Sequence, residues 1–286
     1  GNGNLPVGKK TLQNSSPQAV SGNPGPFGIL CEFCMTAPNL KFLNSRASPP
    51  GSYRGRLAPT PTGDLHLGHA CTFSIAAARS RQSSGTLLLR MEDLDRQRCR
   101  AEFAAGVVED LRWWGLEWRE GPGCIEAADE GPHGPYVQSK RLARYLEVWQ
   151  ELVARGTIYP SPQSRKDVER ALTAPHAGDE AAEPIFPVEW RDDPQKYLDR
   201  TKPGEVKWRF LIPERSPMMF ADRRCGEVTA VSGEDFGDFL VWRKDGFPTY
   251  ELAVVVDDHD MGITEVVRGE DLLLSTFRQL LLYNAL

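Results

Sequence analysis

Two histidines three residues apart, His66 and His69, follow a breaker-rich segment, Pro59-Thr60-Pro61-Thr62-Gly63. Arg54 to Ala58 before it reads as a short strand, and the Ala-rich run from His66 to about Arg81 as a helix. Both imidazoles therefore fall in the first turn of a helix, where unpaired N–H groups and the positive dipole end attract phosphate. At this spacing they share one side of the turn and can add donors where phosphate charge develops, while Gly68 lets a ligand approach the backbone. Two ordinary surface histidines are the plain alternative. A second set, Leu89-Arg90-Met91-Glu92-Asp93-Leu94-Asp95, ends an apolar strand in acids. Open parallel sheets bind ligands at the carboxyl ends of their strands, and a carboxylate there can hold an ammonium group or simply face solvent. A third runs from Phe247-Pro248-Thr249-Tyr250 through Asp257-Asp258 to Val267-Arg268-Gly269-Glu270-Asp271-Leu272. Tyr250 and Arg268, read as neighbouring strand ends, could recognise a carboxylate, with the guanidinium as a bidentate fork, or each could be structural.

Other motifs carry less. Gly3 to Lys10 approaches a Walker A loop, but Lys10 stands where a hydroxyl should meet magnesium. Cys31-Glu32-Phe33-Cys34 has no second pair at zinc-ribbon spacing. Six cysteines spread over 286 residues fit reduced thiols in a cytoplasmic protein. A net charge of -5 argues against a protein that coats nucleic acid, although it permits local basic patches. No apolar run approaches the ~20 residues that cross a bilayer.

The elements that must position these residues follow an α/β rhythm. After Arg54 to Ala58 and the His66 helix come a strand at Thr86 to Met91 and a helix carrying Phe103, Val107, Leu111 and Trp114, stopped by Gly115. Gln138 to Gly156 reads as an amphipathic helix, followed by a Pro-punctuated stretch with a short helix around Arg165 to Leu172. Strands are expected at Val206 to Ile212, Glu227 to Val231, Phe239 to Lys244, Leu252 to Val256 and Ile263 to Val267. A last helix is expected to be capped by Ser275 or Thr276, Thr276 and Gln279 having capping-box spacing. A parallel sheet split by an insertion is the simplest α/β account. Residues 1–52, rich in Gly, Pro, Ser and Asn, read as a disordered tail that suits a transit peptide or an extended reading frame. Leu280 to Leu286 stops inside an apolar helical run, so a truncated chain is expected.

The block from Arg56 to His69, Arg-Leu-Ala-Pro-Thr-Pro-Thr-Gly-Asp-Leu-His-Leu-Gly-His, resembles the adenylate-forming HIGH signature of class I aminoacyl-tRNA synthetases in its glutamate branch. The resemblance runs from Tyr53 to Leu286. Segments such as Gly134-Pro135-Tyr136-Val137-Gln138-Ser139, Ser164 to Val168, Ala174 to Asp179, Val241 to Gly246 and Leu272 to Thr276 resemble its glutamyl-Q tRNA(Asp) synthetases. It implies a Rossmann-type catalytic domain, residues 53–139 and 233–286, split by an acceptor-binding-like α+β insertion, residues 140–232. It implies ATP with magnesium at His66, Gly68 and His69, the catalytic set, and glutamate at Arg56, Leu57, Ala58, Pro59, Thr60, Glu92, Tyr250 and Arg268. Thr60 replaces the family's usual Ser, and Glu92 would contact the substrate's amino group. The implied reaction makes glutamyl-adenylate and passes glutamate to the queuosine base of tRNA(Asp), in a monomer that touches no membrane. A fragment of a conventional synthetase charging tRNA(Glu), or a decayed tRNA-binding paralogue, are the alternatives. Many relatives hold zinc through a Cys-x-Cys after Tyr-Pro and a later Tyr and Cys. Within the corresponding region, 159–191, this chain offers Ser161, Gln163, Phe186 and Trp190, so no zinc is expected, and apolar packing of Phe186 and Trp190 instead. The family's KMSKS-like loop is expected beyond Leu286, with weak adenylate formation by the chain as written.

Overall fold

The computed structural model describes residues 29–35, 53–123, 131–164, 166–168 and 185–286. Strand β1, Ile29–Met35, lies within the segment expected to be an unstructured tail. The Walker-like Gly3 to Lys10, Cys124 and Ala174 to Asp179 lie outside the described residues, as does most of the helix expected at 165–172.

The first α/β unit matches its expected order. Strand β2, Arg54–Leu57, pairs in parallel with β3, Thr86–Leu89, through the crossover helix α1, Leu67–Gln82. Helix α2, Ala101–Trp113, buries Val107 and Leu111 and ends at Gly115, whose φ of +71° is the left-handed conformation that glycine adopts without strain. Leu57, Phe73, Ala76, Leu87, Leu89, Val107, Leu111 and Trp118 form one apolar cluster between sheet and helices. Parallel bridges at Leu88–Glu120 and Met91–Val137 extend this layer.

A short 3-10 turn, Gln138–Arg141, leads into α3, Leu142–Ala154, whose buried Tyr145, Val148, Trp149, Leu152 and Val153 repeat at helical spacing. Trp149 meets Trp208 edge to face, ring centroids 4.9 Å apart, in the larger core cluster. Antiparallel strands β4, Ile158–Ser161, and β5, Lys207–Phe210, continue into β8, Phe239–Trp242. Strand β8 was expected to resume the parallel sheet; it extends this antiparallel one instead. The hairpin of β6, Pro217–Asp222, and β7, Gly226–Val231, joins β1 and β9, Val266–Arg268, in a second antiparallel sheet.

One expectation fails outright. Leu252 to Val256, read as a strand, lies inside helix α4, Tyr250–Asp260. Every residue from Glu251 to Asp258 is buried, and a helix covered on all sides needs no polar face, so its short β-branched run mimics a buried strand. Helix α5, Leu273–Ala285, begins before the expected caps. Ser275 and Thr276 lie within it, their hydroxyls engaged by groups elsewhere in the chain: Ser275 donates to Glu251 and Thr276 accepts from Arg268.

Candidate functional site

Helix α1 opens with a mutual cap built from its two imidazoles. His66, extended at φ -117° and ψ 173°, is the N-cap, and its Nδ1 accepts from the Gly68 N–H at 3.1 Å. The His69 Nδ1 accepts in return from the His66 N–H at 3.3 Å. A neutral ring that accepts at Nδ1 carries its proton on Nε2, so the capping geometry fixes the tautomer of both rings. The centroids lie 3.9 Å apart, and His69 stacks on Phe73 at 5.7 Å. Burial, then the neighbouring His66, lowers the pKa of His69, which favours the neutral donor form. A Cβ on Gly68 would stand 2.9 Å from the His66 ring, so glycine keeps the cap closed. With no acid in the first turn, the positive helix end stays unneutralised.

Both histidines face a cavity of about 570 Å³ beyond the carboxyl ends of β2, β3 and β9. Arg56, Ala58, Thr60, His66, Gly68, His69, Glu92, Tyr250 and Arg268 all line it. Two expected residues do not. Leu57 is fully buried in the core because strand alternation turns it away from Arg56, and Pro59 contributes its carbonyl to the Glu92 N–H at 3.0 Å. Tyr250, expected at a strand end, projects from the first turn of α4. Thr72, Phe73 and Arg224 also line the cavity and carried no motif by which to find them, whereas Glu270 and Asp271, which line it too, stood in the third motif without an assigned role.

A buried charge network holds this wall. Arg90 has no exposed surface; its Nη2 donates to Glu92 Oε1 at 2.9 Å and its Nη1 to Asp258 Oδ1 at 2.6 Å. Asp257 accepts from Gln138, Arg141 and Tyr145, and Arg56 Nε stands 3.4 Å from Asp258. Burial pushes the Glu92 carboxyl up, and Arg90 and Arg56 offset that only in part. Asp258 goes the other way: burial raises it, but Arg90 and Arg56 outweigh burial and hold it below its usual range. Asp257-Asp258 was visible as a motif; its role as counter-charge to arginines far away in sequence was not.

In the 159–191 region, Ser161 Oγ donates to Gln163 at 2.8 Å and accepts from Arg209 Nε at 3.1 Å. Phe186 and Trp190 pack edge to face at 5.7 Å, as expected, with the Arg209 guanidinium 4.0 Å over the Phe186 ring. A fixed cation beside Ser, Gln, Phe and Trp does not suit zinc.

These features agree with comparisons to known proteins. Residues 52–286 match the family model described as tRNA synthetases class I (E and Q), catalytic domain. The glutamyl-Q tRNA(Asp) synthetases of Nitratidesulfovibrio vulgaris and Symbiobacterium thermophilum are each 44% identical to it, over 82% and 81% of this chain and 70% of theirs. The glutamate–tRNA ligase of a Sulfurihydrogenibium species is 37% identical over 82% of the chain, which spans 47% of that relative. The crystal structure of a glutamate tRNA ligase from Elizabethkingia meningosepticum in complex with its amino acid superposes with a TM-score of 0.65 at 28% identity, covering 82% of this chain and 47% of that one. With the HIGH-like helix start, the Rossmann-type unit and these relatives in agreement, the chain belongs to the class I tRNA synthetases (E and Q), ligases of the glutamyl-tRNA synthetase type.

Proposed function

We propose that the cavity binds glutamate beside ATP and joins them as glutamyl-adenylate, and that the whole protein passes the glutamyl group to the queuosine base of tRNA(Asp). The observation that carries this reading is one cavity lined by phosphate-seeking groups (His66, Gly68, His69) and by groups suited to an acidic amino acid (Arg56, Glu92, Tyr250, Arg268). A carboxylate oxygen of glutamate attacks the α-phosphate, the bond to pyrophosphate breaks, and pyrophosphate leaves with the electron pair. No covalent bond to the enzyme is needed; alignment and charge neutralisation lower the barrier. The Nε2–H groups of His66 and His69 donate toward the phosphates, and magnesium accompanies ATP. Arg268 takes the side-chain carboxylate, Glu92 the ammonium, and Arg56, Thr60 and Tyr250 complete the amino-acid side. The acceptor assignment follows the names of the relatives at 44% identity.

Glutamate-dependent ATP–pyrophosphate exchange tests the reading. Arg268→Lys, which loses the planar fork, is expected to raise KM for glutamate by about tenfold to a hundredfold, as befits a charge-assisted bond, and to leave KM for ATP near its original value. Equal damage to both would refute the assignment. A second reading, a conventional synthetase charging tRNA(Glu), draws on the glutamate–tRNA ligases at 37% identity. Exchange by a clone as long as the relatives, with and without tRNA, separates the two. Tight tRNA binding with no exchange would indicate the decayed paralogue.

A further inference from the structure

Of the arginines in or behind the cavity wall, Arg56, Arg90 and Arg268 differ in their partners. Arg56 faces Asp258 at 3.4 Å, and Arg90 is tied to Glu92 and Asp258. Arg268 has only neutral hydrogen-bond partners among the described residues: its Nη1 donates to Gln279 Oε1 at 2.8 Å and its Nη2 to Thr276 Oγ1 at 2.5 Å. Its guanidinium is aimed, yet among the described residues no carboxylate within ion-pair distance cancels its charge. The surrounding groups are nearly inaccessible, Gln279 at 2% and Thr276 at 1%, so bulk water does little screening there.

An amide can present either end to a neighbour, and a flipped Gln279 would turn its NH2 toward Arg268. Glu251 prevents the flip. Its Oε2 accepts from Gln279 Nε2 at 3.0 Å and its Oε1 from Ser275 Oγ at 2.8 Å, with Arg278 Nη1 3.7 Å away. Taking up the NH2 end leaves only the carbonyl end for Arg268. Glu251 also directly follows Tyr250, so the same turn of α4 sets a cavity side chain and the anchor of this relay.

We propose that Gln279, held end for end by Glu251, is a specificity-determining positioning residue: it aims Arg268 into the cavity without neutralising it, so the site takes a side-chain carboxylate and rejects the carboxamide. A carboxylate partner at 279 would aim Arg268 equally well and remove the reason to prefer an acid. The proposal rests on the reading that this cavity holds glutamate.

Calorimetric titration of the full chain with L-glutamate and with L-glutamine, in the presence of a non-hydrolysable ATP analogue, tests it. The original chain is expected to prefer glutamate. Gln279→Glu is expected to weaken glutamate binding about tenfold or more while leaving glutamine within about twofold, collapsing the preference. Gln279→Met, which removes the acceptor, is expected to weaken glutamate about tenfold. Should either variant fail a circular-dichroism check of folding, Glu251→Gln asks the same question, because two facing amides no longer fix which end meets Arg268. A loss of preference of about threefold or more is then expected. An unchanged preference in the folded variants overturns this inference alone. Failure of the original chain to bind glutamate overturns the proposed function and the inference together.

Discussion

Replacing Arg90 with Met should strand buried Glu92 and leave buried Asp258 with Arg56 alone. Arg90 is wholly inaccessible, and its guanidinium is the hydrogen-bond partner of both Glu92 and Asp258. After the substitution Asp258 retains Arg56 at 3.4 Å, Asp257 retains Gln138, Arg141 and Tyr145, and Glu92 loses its side-chain donor. Breaking a buried pair by removing one partner costs about 3–5 kcal/mol, a large share of the ~5–15 kcal/mol that stabilises a typical domain. The cost should depend on pH. Burial already raises the Glu92 carboxyl, and loss of Arg90 raises it further, so the folded variant binds more protons than its unfolded chain above the ordinary Glu value. Its stability is therefore greatest at low pH and falls as pH rises through the raised folded value. Urea denaturation of original and variant at pH 5 and pH 8 measures this. The deficit should be several kcal/mol at pH 8 and visibly smaller at pH 5. A deficit below about 1 kcal/mol, or one equal at both pH values, would show that the network does not carry the wall as argued.

Other outcomes follow from the same contacts. Since His69 titrates below its ordinary value, its contribution to stability is complete above the unfolded value near 6.5 and is lost as pH falls through the folded one. His66→Ala should cost about 1 kcal/mol at neutral pH through loss of the cap and flatten that acid-side slope; parallel slopes in denaturation curves from pH 5 to 8 would contradict the mutual cap. Phe186→Ala should cost about 3–5 kcal/mol and sharply lower the melting temperature, because a fully packed ring under Arg209 is removed. Elemental analysis of purified protein is expected to find no stoichiometric zinc, and one zinc per chain would mean that the 159–191 region binds metal by other groups.

Local signals made the proposed phosphate side legible. The breaker segment at Pro59 to Gly63 and the Ala-rich run after it place His66 and His69 at a helix start without any tertiary information, and α1 starts within one residue of that position. The proposed carboxylate side was half legible. Arg268 and Tyr250 were found as residue types in a pattern, but the element under Tyr250 was misread. A run of Leu, Ala and three Val carries no period that separates a strand from a helix buried on every face. Thr276 and Gln279 have the spacing of a capping box and instead hold Arg268. Arg90 with Asp258, and Arg141 with Asp257, are separated by more than a hundred residues, and single-sequence periodicity cannot see such pairs.

The span of the chain that encloses the cavity has its own consequence. The Arg56 guanidinium donates to the Val267 carbonyl across 211 positions, and β2 and β9 lie side by side only after everything between them has been accommodated. Closing so long a loop must precede any reward from the contacts it creates. Binding competence is therefore a property of the nearly complete fold, and a ligand that recognises Arg56 and Arg268 together reports on maturation of the whole stretch between β2 and β9. A refolding time course followed by ligand uptake would then lag behind one followed by helix content.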